Sequence, residues 1–204
     1  SIESWDVTTV RASVGNYLIA KFIKNNTPFK VVLNGDYSDE VAGGYLYMKM
    51  APSYEEFSLE CRRLVGDIHF FDSLRSDRSV CAHGLEARAP FADKEFVEYY
   101  LSVDPRITSP QDQMEKYMLR MAFANSGLLP DKVLWRKKEA FSDGVSSPDD
   151  SWHTIIKNYI EGDEEEYYKS IFRKYYPRNE LIIPYKWMPR YCDAQDPSAR
   201  TLST

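Results

Sequence analysis

The run Asn34-Gly35-Asp36-Tyr37-Ser38-Asp39-Glu40, closed by Gly43-Gly44-Tyr45, gathers residue types that handle phosphate. A glycine lets the backbone approach an anion closely, and Ser38 or Asp39 can begin a helix whose first amides face it. The carboxylates of Asp36, Asp39 and Glu40 would repel a bare phosphate. The chemistry becomes consistent if a divalent cation joins Asp39 to phosphate oxygens, as Mg²⁺ commonly does. A solvated acidic turn is the plain alternative. A second run, Trp135-Arg136-Lys137-Lys138-Glu139-Ala140-Phe141-Ser142-Asp143-Gly144, sets basic residues between aromatics. Such a loop can reach over a phosphate and neutralise charge that grows in a transition state, although a solvated basic face has the same pattern. Asp6-Val7-Thr8-Thr9-Val10-Arg11 offers hydroxyls and a guanidinium at a helix start, where the hydroxyls also serve as caps. Gly84 to Phe91 sets Glu86 and Arg88 two apart, the pattern of an internal ion pair.

These runs need elements to aim them. Val10, Val14, Leu18 and Phe22 recur every four residues, with Tyr17 beside them, and predict a helix from about 9 to 25 with an apolar stripe facing the core. Phe29 to Leu33 reads as a short buried strand that leads directly into the phosphate-type loop, an order that puts the loop at the strand's carboxyl end, where α/β folds bind ligands. Ser53 with Glu56 signals a helix start, followed by an apolar stripe through Phe57, Cys61, Leu64, Ile68 and Phe71 to about 82. Asp93 is positioned to cap a helix carrying Phe96, Val97, Tyr100 and Leu101, and Asp112 with Glu115 to cap another that Gly127 stops. Helices are also expected from about 151 to 161 and 163 to 175, then an irregular, proline-bearing tail. One strand is too few for a parallel sheet covered on both faces, so the chain reads as part of a larger α/β domain.

With 204 residues and no dividing linker, a single domain is the default. A net charge of −5 disfavours nucleic-acid and anionic-membrane partners. No window reaches the roughly 18 apolar residues of a membrane span, and the first ten residues lack a signal-peptide layout, which suggests a cytoplasmic protein. Cys61, Cys81 and Cys192 are widely spaced and odd in number, so reduced core thiols are expected, and the scattered histidines exclude a helical zinc motif.

DVTTVRAS, VVLNGDYSDEVAGGYLYMKMAPS, HGLEARAPFADKEF, MEKYMLR, LWRKKEAFSDGV and DPSARTL, collinear from residue 6 to 202, resemble segments from the C-terminal part of the synthetase domain of glutamine-dependent asparagine synthetase. The resemblance implies an α/β fold, the mostly helical portion of an adenine-nucleotide α-hydrolase-like (ATP pyrophosphatase) domain with a small parallel sheet, over residues 1–204. It implies a two-step reaction. Aspartate attacks the α-phosphorus of Mg-ATP to give β-aspartyl-AMP and pyrophosphate, and ammonia released from glutamine in another domain then displaces AMP. By position, Asn34 and Gly35 would contact ATP and Asp36 would act in forming the intermediate. Asp39 would hold Mg²⁺, and Lys138 would steady the α-phosphate and pyrophosphate. Thr8, Thr9 and Arg11 would line the aspartate and nucleotide pocket, with Tyr45 beside it. Upstream synthetase and glutaminase portions are implied partners, and a homodimer is an allowed assembly.

The departures are specific. The family's loop is Ser-Gly-Glu-Gly where this chain has Asn-Gly-Asp-Tyr, so Asp36 is one methylene shorter and Tyr37 replaces a glycine. The family's Ser-Gly-Gly-x-Asp-Ser pyrophosphatase loop and its N-terminal cysteine nucleophile do not occur in these 204 residues. Alone, the chain is expected to make no asparagine and to bind ATP weakly. The alternatives are a non-catalytic binding or scaffold protein that keeps the fold, and a related ATP-dependent amide-forming enzyme.

Overall fold

The computed structural model describes residues 1–112, 114–141, 152–178 and 185–194. Expectations for Ser142 to Gly144 and for the DPSARTL segment lie outside the described residues. The chain forms two compact units and crosses between them at five places, so it needs no linker of distinctive composition. One unit comprises residues 1–34, 69–88 and 139–188, and the other 35–68, 89–138 and 189–204.

In the first unit, α1 (Val7–Asn26) begins at Asp6, whose side chain accepts from the Thr9 amide. It covers a two-stranded parallel sheet of β1 (Val31–Leu33) and β2 (Glu86–Arg88), with Val31 opposite Glu86 and Leu33 opposite Arg88. A wide helical turn at Leu74–Arg78 runs into α4 (Ser79–Cys81). Ala20, Val80 and Leu85 form the core, with Ile23, Val32 and Ala87 packed against it. Two carboxyl-terminal helices complete the described part, α9 (Trp152–Tyr159) and α10 (Glu164–Tyr175).

The second unit holds α2 (Ser38–Ala42), α3 (Tyr54–Asp67), α5 (Lys94–Ser102), α6 (Pro105–Thr108), α7 (Tyr117–Phe123) and α8 (Asp131–Leu134). Ser53 and Asp93 cap α3 and α5 by accepting from the Glu56 and Phe96 amides. Val41, Ala42 and Tyr100 form its core with Val65, Phe96, Val97, Met118 and Leu119.

Four expectations are corrected. The inward face of α1 is Val7, Thr9, Ser13 and Ala20, whereas Leu18 and Phe22 of the proposed stripe are 57% and 64% exposed. Small residues on that face admit the close approach of α4, where the Ser79 hydroxyl meets the Ser13 carbonyl at 3.4 Å. Likewise β1 is not buried: Val31 and Leu33 are 50% and 75% exposed, because among the described residues the sheet has two strands and its second face lacks a cover. Of the thiols only Cys61 is a core residue, while Cys81 is exposed and Cys192 intermediate. Finally, α7 is preceded by Lys116 in a left-handed conformation and has no side-chain cap, so Asp112 and Glu115 do not cap it.

Candidate active site

In the second unit, Tyr37 lies at φ 71° and ψ −14°. That left-handed residue turns the chain sharply into α2, and the Ser38 hydroxyl secures the turn by donating to the Gly35 carbonyl at 2.8 Å. The turn leaves Asp39 in the first turn of a helix of only five residues, too short for a useful dipole, so side chains dominate the local field. Gly43, at φ 63°, then ends the helix.

Asp39 meets two ammonium groups. Lys138 Nζ lies 2.6 Å from Oδ2, and Lys116 Nζ lies 2.5 Å from Oδ1. Lys116 also donates to the Ser38 hydroxyl at 2.9 Å. Side-chain exposures of 23% for Asp39, 17% for Lys116 and 18% for Lys138 describe a half-buried cluster that solvent still reaches. Burial alone would raise the Asp39 carboxyl, but the Lys116 and Lys138 ammonium groups override it and hold the carboxyl well below the ordinary carboxylate range.

A buried anchor fixes the two lysines. Glu115, preceding Lys116, pairs with Lys49 at 3.0 Å and with Arg120 Nη2 at 3.0 Å. Arg120 Nη1 also donates to the Leu134 carbonyl, tying down the segment that leads to Lys138. Lys116 itself sits at φ 56°, an uncommon conformation for a side-chain-bearing residue and one that turns the chain at the site. Gly44 backs the cluster: a Cβ there would lie 2.0 Å from Asp39 Oδ1 and 2.2 Å from Lys116 Cε. Tyr45 donates through its hydroxyl to the buried Glu40, and Asp36 is half-buried in the turn.

The other candidates lie in the first unit. Asp6 is buried and accepts from the Thr9 amide at 2.9 Å, the Thr9 hydroxyl at 2.6 Å and the Trp187 amide at 2.8 Å. Burial pushes its carboxyl up, against the lowering effect of those donors. Arg11 grips Glu164 with Nε on Oε1 at 2.8 Å and Nη2 on Oε2. Asn34 donates from Nδ2 to the Ser76 hydroxyl at 2.8 Å, while its Oδ1 is buried with no hydrogen-bond partner among the described residues. Thr8 is partly exposed in the first turn of α1, and Gly35 is exposed. The expected pair Glu86 and Arg88 does meet, at 2.5 Å, on an exposed strand.

The structure therefore brings Asp39 and Lys138 together across 99 residues of sequence and adds Lys116. The sequence reading missed Lys116. MEKYMLR already stood among the resembling segments, but a lone lysine before a helix carries no signal until the fold brings it to Asp39.

The asparagine synthase family model matches residues 2–59 and 49–181, most of the chain. The chain belongs to the asparagine synthase family. It is 44% identical to the glutamine-hydrolysing asparagine synthetase of Gallus gallus over 223 residues, covering 99% of this chain and 40% of that protein. The Bos taurus and Homo sapiens asparagine synthetases are 44% and 42% identical over 224 residues, again with the whole chain and 40% of the relative covered. The chain thus spans about 40% of the length of these curated relatives.

The assignment of Asp39 to Mg²⁺ meets a difficulty within this family framework. Each of its oxygens faces its own ammonium group, and two cations within 2.6 Å repel a third. As arranged, the donor set is that of a counter-ion to two lysines and does not fit a divalent cation.

Proposed function

We propose that this chain is the C-terminal part of an asparagine synthetase domain and works with upstream synthetase and glutaminase portions in ATP-dependent, glutamine-supplied asparagine formation. On this reading its fold is the mostly helical part of an adenine-nucleotide α-hydrolase-like domain, its substrates are aspartate and ATP, and it acts in the cytoplasm. The Asp39–Lys138 pair carries the reading. A loop and a distant basic segment, each singled out for phosphate chemistry, meet at 2.6 Å.

Lys138 then presents a positive charge where charge grows on departing pyrophosphate, and Asp36 serves the step that forms β-aspartyl-AMP. Gly35 admits the nucleotide backbone to backbone. The buried, unsatisfied Oδ1 of Asn34 is an acceptor suited to a ligand hydroxyl or amino group. Thr8, Thr9, Arg11 and Tyr45 are the proposed pocket residues for aspartate and nucleotide. For Thr9 and Arg11 that role must coexist with their bonds to Asp6 and Glu164. No step here requires an ion on Asp39.

An upstream partner is supported by β1. Its ladder to β2 runs through the Lys30 carbonyl and the Asn34 amide, leaving the backbone of Val31 and Leu33 toward an edge that carries no strand among the described residues. An apolar strand with an open edge and an open face is suited to pairing within a larger parallel sheet.

The test is a polypeptide that carries the upstream portions. It should release pyrophosphate only when aspartate is present, and Lys138→Ala should lower that rate by roughly 10² or more. Wild-type release by Lys138→Ala would return the segment to a solvated basic face. A second reading, a binding protein that keeps the fold, is favoured by Tyr37 at a position of glycine-like backbone, where the family has glycine. Aspartate-independent, weak ATP binding without pyrophosphate release would support it.

A further inference from the structure

We propose that a cavity in the second unit is a binding site for a small apolar carboxylate, with the apolar body held among Met48, Tyr54 and Phe57 and the carboxylate on the Lys49 ammonium. The cavity measures about 400 Å³, within the range of small-molecule sites. Its lining shares no residue with the proposed nucleotide and aspartate positions, so the site stands whether or not the synthetase reading does.

Three short segments converge on it. A tight helical turn at Leu46–Met50 supplies Met48 and Lys49, the start of α3 supplies Ser53, Tyr54 and Phe57, and the exit of α6 supplies Ser109 and Pro110. Met48 and Phe57 are buried and give the cavity an apolar base. The Phe57 ring is pinned by Gly43, where a Cβ would lie 2.3 Å from its Cζ, so that base is held in place. Pro52 and Pro110 stiffen the remaining lining, because proline fixes its own φ. A cavity that keeps its shape before the ligand arrives spares binding the cost of ordering it. Tyr54 remains half exposed there, which leaves apolar surface for a ligand to cover. The Met48 thioether and the two rings favour an aromatic body.

The charge comes from the Glu115 anchor. Its single negative charge faces two positive ones, Lys49 at 3.0 Å from Oε2 and Arg120 at 3.0 Å from Oε1. Of these three residues Lys49 lines the cavity, so the excess positive charge is presented there. The Lys49 side chain is 21% exposed, and its ammonium has three rotatable donors, so it can take a second carboxylate without leaving Glu115. A monoanion matches the one excess charge, and the apolar lining reduces the screening of that contact. The Ser109 hydroxyl accepts from the Gln111 amide group at 3.3 Å, which leaves its proton to donate to a ligand oxygen.

The experiment is titration of the 204-residue chain with hydrocinnamate, a phenyl ring on a propionate, followed by amide NMR shifts. Binding should saturate with a Kd of about 1 mM or tighter. The shifts should centre on Lys49, Tyr54 and Ser109 and extend to Glu115, which shares Lys49. Hydrocinnamide keeps the ring without the charge, and acetate keeps the charge without the ring; each should bind about tenfold more weakly or worse. Lys49→Met should weaken hydrocinnamate about tenfold while leaving hydrocinnamide within about threefold of the parent. Ala51→Phe, which fills the cavity, should weaken both ligands. Failure to saturate by about 10 mM, equal affinity for the acid and its amide, or unchanged acid affinity in Lys49→Met or Ala51→Phe overturns the proposal. Should either variant fail to fold, the comparison of acid and amide on the wild-type chain, with the location of the shifts, decides.

Discussion

The Arg11 guanidinium and the Glu164 carboxylate meet edge to edge, with side-chain exposures of 12% and 13%, and the Tyr168 hydroxyl donates to Oε1 of the same carboxylate at 2.9 Å. The two Arg11 bonds fasten α10 to α1, and the Tyr168 bond, within α10, holds the carboxylate in place. Glu164→Gln keeps the shape and removes the charge, so urea unfolding should show a loss of about 2 kcal/mol, as for hydrogen bonds to charged groups. Tyr168→Phe should cost about 1 kcal/mol. A loss below about 0.5 kcal/mol for Glu164→Gln would mean that solvent screens the pair.

Tyr37 tests the loop. Its φ of 71° lies where glycine is comfortable and where a β-branched side chain clashes with the backbone. Tyr37→Val should therefore lower stability by at least about 1 kcal/mol in denaturant titration. Tyr37→Gly should leave the amide spectrum of residues 38–42 unchanged, because the backbone already has the shape glycine prefers. Spectral changes that spread through α2 would show that the tyrosine side chain builds the turn.

Much of the helical frame was legible because its signals are local. Ser53, Asp93 and Asp163 each cap by accepting an amide three residues on, and such caps are written within four residues of sequence. Two other features depend on distant partners. The three residues of β2 read as a loop motif until β1 pairs with them, and the apolar stripe on α1 gave no hint that α4 would select the small-residue face instead. The candidate site divides similarly. Asp39 and Lys138 were each visible as residue types in suggestive runs, whereas Lys116 joins the cluster only by approaching Asp39 across 77 positions of sequence, from 39 to 116.

Gly44 provides a test that leaves every charge in place. A methyl group at this position would lie 2.0 Å from Asp39 Oδ1 and 2.2 Å from Lys116 Cε, both on side chains that can move. Gly44→Ala should accordingly cost only about 1–2 kcal/mol in thermal unfolding, the usual price of modest overpacking. Pyrophosphate affinity should fall about tenfold, because the ammonium groups shift by more than the tolerance of a charge-assisted hydrogen bond. Unaltered affinity would show that the cluster's geometry is not used in binding.

The last prediction concerns acid. The Asp39 carboxyl titrates below its ordinary value of 3.8 in the folded chain, so the folded state binds fewer protons than the unfolded state between the folded value and 3.8. The stability it contributes is therefore present in full above about pH 4 and is lost as pH falls through the folded value. Asp6 works in the opposite sense: its raised carboxyl favours the protonated folded state, so its contribution weakens as pH rises above 3.8. Comparison with Asp39→Asn isolates the carboxylate. At pH 7 the variant leaves two ammonium groups facing a neutral amide and should be about 2 kcal/mol less stable, a figure below that of a fully buried pair because the cluster is partly exposed. The gap should narrow steadily below pH 4 as wild-type Asp39 takes up its proton. A gap that stayed constant from pH 7 to pH 2 would show that the lysines do not stabilise the ionised form. It would thereby remove the electrostatic basis for treating Asp39 as their counter-ion.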